Sequence, residues 1–209
     1  MRKFLEIGGF IAGAVLIVFG AVAIYMGVDG RSTVRDSLAQ EQIVGSEDMT
    51  PAAIKEEAMK AGLSSSIALP TVDVAGKAID TGARARAFAT YIRIHSLEAS
   101  GGQTYSQLPR FSTADGKGTS DAALALKDAK GQPVANPIRD TMVTATALET
   151  ALNTSYMAEQ LALFGIVVGV ALLLAGIGFV VLALVVLGVR VPRKLEVPTA
   201  ETTQAVPSV

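Results

Sequence analysis

The residues from Leu161 to Val189 include no charged side chain, and no other feature restricts the fold of this chain as much. At about 1.5 Å per residue a helix of that length spans some 43 Å, whereas a bilayer core is about 30 Å thick. A soluble core helix is seldom apolar on every side over such a distance. A second uncharged run extends from Ile7 to Val28. The chain is therefore expected to be an all-α membrane protein, with transmembrane helices over 7–28 and 161–189. Between them lies a mainly helical extracytoplasmic domain over 29–160. Residues 1–6 form a cytoplasmic N-terminus, and 190–209, with three prolines among Thr and Val, form a disordered cytoplasmic tail.

Charge at the ends sets the orientation. Arg2 and Lys3 precede the first run; Arg190, Arg193 and Lys194 follow the second. Basic residues flanking spans stay in the cytoplasm, which predicts a plasma-membrane protein with both termini inside and the middle outside. Tyr25 and Tyr156 then sit near the outer interface, where aromatic rings are favoured. The first run also fits a cleaved signal peptide, because Ala21-Val22-Ala23 has small residues at cleavage spacing. Its length exceeds the roughly 7–15 apolar residues of a signal and favours an uncleaved span.

Glycines recur within both runs. Gly9, Gly13, Gly20 and Gly27 lie at four- and seven-residue intervals in the first, and Gly165, Gly169 and Gly176 in the second. Such spacing keeps them close to one helix face, where missing side chains let backbones approach. They are candidates for a packing seam, between the two spans or between protomers. The alternative is the general glycine richness of membrane helices. Neither run holds a charge, so an ion pathway is not expected.

In the middle region, Thr33–Gln42 reads as a short juxtamembrane helix. Thr50-Pro51 opens another as cap and first residue, with Gly62 ending it. A third is predicted from Val72 to Ala99, with Val74, Ala78, Ala85, Phe88 and Ile92 as its apolar stripe. Lys77, Asp80 and Arg84 form its polar face. Arg86 and Arg93 share another flank that suits lipid headgroups, a partner or solvent. Thr104–Gln107 has capping-box spacing, but Pro109 limits it to a turn. Residues 112–132, rich in Gly, Ala, Asp and Lys, read as a mobile loop. Asn136-Pro137 then caps a helix whose stripe is Ile138, Met142, Ala145, Leu148, Leu152 and Tyr156. No Pro or Gly interrupts it before Gly165, so this helix is expected to be continuous with the second span.

Little in the sequence points to chemistry. There is no cysteine, which excludes disulfides, thiolate catalysis and Cys-based metal sites. Positive and negative charges are interspersed in the middle region, without the basic patch that nucleic acid requires. His95 is the single histidine; with only Glu98 close in sequence it reads as structural or exposed. Neither a nucleophile elbow nor a phosphate loop is present. Asn153-Thr154-Ser155 matches a glycosylation sequon but lies in a helix close to the membrane. No catalytic, cofactor-binding or metal-binding residue is assigned, and no cofactor is expected.

Several segments resemble a group of uncharacterised actinobacterial two-span membrane proteins. These are Val34–Ala39 through Ile43, Ala85–Ala89 leading to His95–Ala99, Gly102–Leu108, and Thr141–Thr144. The similarity takes in both spans and implies an actinobacterial plasma membrane and a family without assigned chemistry. Some relatives carry a ring-opening dioxygenase label, which one histidine cannot support, because that chemistry needs a multi-ligand iron site. The expected role is a non-enzymatic interaction or assembly protein with an extracytoplasmic docking domain. Its partners would be the lipid bilayer, further copies of itself or another membrane protein. The alternative is a lipid- or small-molecule-binding accessory subunit of a membrane transport system.

Overall fold

The computed structural model describes residues 2–188; Val189, Arg190, Arg193, Lys194 and the expected tail lie outside them. Among the described residues there are four helices, α1 (Arg2–Gln40), α2 (Pro51–Lys60), α3 (Gly82–Ala99) and α4 (Pro137–Gly188). Outside the helices, the described residues form isolated β-bridges and turns and no strand. Within α1 and α4 lie two stretches, Ile7–Gln40 and Pro137–Val185, long and apolar enough to cross a membrane. The chain divides into two compact units, 1–20 with 171–209, and 21–170.

In the first unit the N-terminal part of α1 packs on the C-terminal part of α4 through glycine. A methyl group placed on Gly13 would lie 2.8 Å from the Gly176 carbonyl oxygen, and one on Gly176 would lie 2.7 Å from that of Gly13. Only a residue without a Cβ permits this approach. Gly9 faces Ala183 more loosely, at 3.6 Å.

The second unit holds the polar domain. The expected break between first span and juxtamembrane helix is absent: α1 runs without interruption to Gln40. Gly30 inside a helix costs about 1 kcal/mol relative to alanine. Tertiary contacts offset this, because Arg31 and Arg35 both donate to Glu159 of α4, at 2.9 and 2.8 Å.

α2 starts as its sequence dictates. The Thr50 hydroxyl accepts from the Ala53 N–H at 3.2 Å, and Pro51 stands at the first position, where no amide is needed. Gly62, at φ +63°, adopts the left-handed conformation that ends it.

α3 begins ten residues later than expected. Residues 72–81 form no helix: Ala78 bridges to Val44 and Ala75 to Gly45, and Gly76 turns the chain at φ +63°. Asp73 accepts from the Ala75 N–H at 2.9 Å, a local bond that competes with a helix. Thr81 is the true cap, accepting from Arg84 at 3.3 Å. Val74, Ala85 and Phe88 are buried and Ile92 is half-buried, whereas Ala78 is exposed and Ile79 takes the core position. Tyr91 is fully buried, donates to the Val72 carbonyl at 3.1 Å, and joins Ile54, Ile79, Ile94 and Leu152 in the core.

The segment from Pro109 to Asn136 contains no helix or strand, but backbone bonds fold it on itself. Phe111 and Thr119 exchange bonds of 2.8 and 2.9 Å, and Val134 donates to Leu126 at 2.8 Å. At its end the Asn136 side chain caps α4 by accepting from Ile138 at 3.1 Å, and it donates to the Pro109 carbonyl at 3.0 Å. On α4, Met142 and Leu152 are buried, but Leu148 of the expected stripe is exposed.

Candidate functional site

The second unit offers three places where side chains converge. The first surrounds His95. Its Nδ1 lies 2.6 Å from Glu57 Oε1 on α2, and its Nε2 lies 3.7 Å from Asp48 Oδ2 in the preceding loop. Helix periodicity points Ile94 and Leu97 of α3 into the core and leaves His95 at its edge, half-buried, where α2 crosses. One ligand atom from each of the three residues falls within 4.8 Å of the others. Glu57 Oε1 is buried, and no hydrogen bond reaches it from the described residues.

The two carboxylates are driven apart in proton affinity. Burial, followed by the neighbouring Glu98 carboxyl, raises Glu57 above its ordinary value, against the pull of His95. A hydrogen bond from Ser46 lowers Asp48. Burial penalises a charge that a nearby donor stabilises, so the environments separate two otherwise similar acids. The set could share a proton or take a divalent cation through one imidazole and two carboxylates. Asp48 and Glu57 lie far from His95 in sequence, which is why periodicity and spacing did not find them.

The second place is Glu159, whose side chain is only 8% exposed. Oε1 accepts from Arg31 and Arg35, while Oε2 accepts from the Gly82 N–H at 2.6 Å. The carboxylate thus closes the N-terminus of α3, where unpaired amides favour negative charge. A methyl on Gly82 would lie 2.8 Å from Oε2 and 2.9 Å from Tyr156 Cα, so glycine is required there. Arg86 stacks over the Tyr156 ring at 4.7 Å. With every oxygen committed, this group ties α1, α3 and α4 together and has nothing left for a ligand.

The third is the outward side of α4 above the apolar span. Its threonines bond back to their own helix: Thr144 donates to the Asp140 carbonyl, Thr150 to that of Thr146, and Thr154 to that of Thr150, at 3.1, 2.8 and 2.8 Å. Val143 and Met157 on this side are 50% and 69% exposed. An open apolar groove of about 600 Å³ runs here, floored by Val143, Ala147 and Thr150 and walled by Tyr105. Arg139 stacks on Tyr105 at 4.0 Å and holds that wall in place.

The glycine candidates distribute between the units. Gly9, Gly13 and Gly176 contact one another's helices in the first, where Gly20 is also buried. In the second, a methyl on Gly27 would lie 2.6 Å from the Ala162 carbonyl oxygen. Gly165 faces Ala23 and Gly27, and Gly169 is buried. No known protein family, curated protein or solved structure matches this chain, so any functional reading rests on these residues.

Proposed function

We propose that this chain is a non-enzymatic assembly protein of the plasma membrane, anchored by its two apolar helices and docking through an extracytoplasmic helical domain. The carrying observation is the outward side of α4, uncharged and exposed from Thr141 to Met157. A helix in water normally turns charged residues outward. Here the charged groups of this stretch lie elsewhere: Glu149 is 3.9 Å from Arg93 on α3, and Glu159 is buried. An uncharged exposed side on an otherwise charged domain suits an interaction site.

The basic residues around the two runs support the orientation, with both termini inside and the domain outside. The groove's apolar lining also favours the second reading, a lipid-binding accessory subunit, since an acyl chain needs no hydrogen-bonding groups. Purification from native membranes in mild detergent, followed by crosslinking and native mass spectrometry, tests both. Assembly predicts a stoichiometric oligomer or complex. A monomer with a retained lipid favours the second reading, and a bare monomer overturns both.

A further inference from the structure

Asp48, Glu57 and His95 come from three separate places in the chain and meet at one edge of the core. Each stands beside a buried anchor: Met49 follows Asp48, Ala58 follows Glu57, and Ile94 precedes His95. The loop that carries Asp48 is fixed further by its backbone. The Met49 carbonyl accepts from the Val74 N–H at 3.2 Å, and the Thr50 N–H donates to the Asp48 carbonyl at 2.7 Å. One imidazole and two carboxylates are thus mounted on a frame set by hydrophobic burial, as a binding site requires of its donors.

Two features of this edge have no partner within the chain. Glu57 Oε1 is buried without a hydrogen bond from any described residue, although His95 Nδ1 is only 2.6 Å away. A buried acceptor left unpaired costs free energy. Charge is also unbalanced, because Glu98 brings a third carboxyl beside Glu57. Among the described residues no lysine or arginine forms an ion pair with Asp48, Glu57 or Glu98. Glu56, one position away, has Lys60 at 2.7 Å.

One cation answers both. We propose that His95, Asp48 and Glu57 bind a divalent transition-metal ion, Zn2+ being the best match, where α2 crosses α3. This goes beyond the assembly reading and does not depend on it. Mg2+ and Ca2+ take oxygen donors, whereas Zn2+ accepts imidazole nitrogen and carboxylate oxygen together. Two donors about 2.1 Å from a tetrahedral ion lie about 3.4 Å apart, close to the 3.7 Å between His95 Nε2 and Asp48 Oδ2. A ligand atom from each residue is within 4.8 Å of the other two, so small side-chain rotations close the three around an ion. Asp48 is exposed and gives the ion a path from solvent. Once bound, the ion ties the loop before α2, α2 itself and α3 together.

The full chain, purified in mild detergent without a polyhistidine tag and stripped with a chelator, is titrated with Zn2+ by calorimetry. One ion per chain is expected, and no binding of Mg2+ at the same concentration. Asp48→Asn, Glu57→Gln and His95→Ala are each expected to weaken Zn2+ binding about tenfold or more, while Glu56→Gln leaves it unchanged. Asp48 is exposed, so Asp48→Asn is expected to keep the native circular dichroism and to carry the test should a more buried variant misfold. X-ray absorption of the loaded chain is expected to show imidazole nitrogen among the donors. Absence of Zn2+ binding, equal affinity for Mg2+, equal losses in Asp48→Asn and Glu56→Gln, or a coordination shell without imidazole overturns the proposal. None of these outcomes bears on the oligomer that tests the assembly reading.

Discussion

At the scale of single residues, the group with the clearest pH signature is Glu57. Its ordinary carboxyl value is 4.5, and burial together with Glu98 raises it in the folded domain. An acid raised by folding binds its proton more tightly in the native state. Its stabilising contribution is complete below pH 4.5 and is lost as pH climbs through the raised value. Glu57→Gln preserves shape and removes the titration. From pH 4.5 upward the variant is expected to lose less stability than the native chain, read from amide exchange at Ile54 and Ala58 across that range. Parallel profiles for both proteins would contradict this. The effect was invisible in sequence, where Glu57 is one of two adjacent acids on a short helix and His95 is nearly forty residues away.

At the scale of elements, local rules and long-range contacts divide the fold. The starts of α2 and α4 were legible because Thr50-Pro51 and Asn136-Pro137 carry their own caps. The start of α3 was not, because the stripe of Val74 and Ala78 continues the apolar pattern of α3 into a segment that pairs with Val44 and Gly45 instead. α1 passes through Gly30 because Glu159, more than a hundred residues further on, grips Arg31 and Arg35. Glycine contacts on these helices lead to a graded prediction. Gly27→Val forces its side chain against the Ala162 carbonyl and is expected to destabilise by about 1–3 kcal/mol. Gly178→Ala, whose methyl meets nothing within 4 Å, is expected to be near neutral. Reversible unfolding in mixed micelles measures both, and equal losses would refute the packing role of Gly27.

At the scale of the whole molecule, two apolar helices and a polar middle region predict one topology. With no native cysteine, single reporters can be placed freely. Lys130→Cys, in the exposed segment before Gly131, is expected to react with a membrane-impermeant maleimide on intact cells. Arg193→Cys is expected to react only after permeabilisation. The opposite labelling pattern would invert the orientation.

The sequence alone determined the two apolar runs, the continuity of α4 with the second of them, and two of the helix starts. Hydrophobic length and capping act over one helix or less, and neighbouring residues suffice to state them. Only the tertiary structure decided that His95 meets Glu57 and Asp48 and that Glu159 seals α3. It also decided that Leu148 lies outside the buried stripe. These depend on which helix crosses which and at what angle. Burial of apolar surface sets that crossing without direction or register, so it is read from the folded chain and not from spacing.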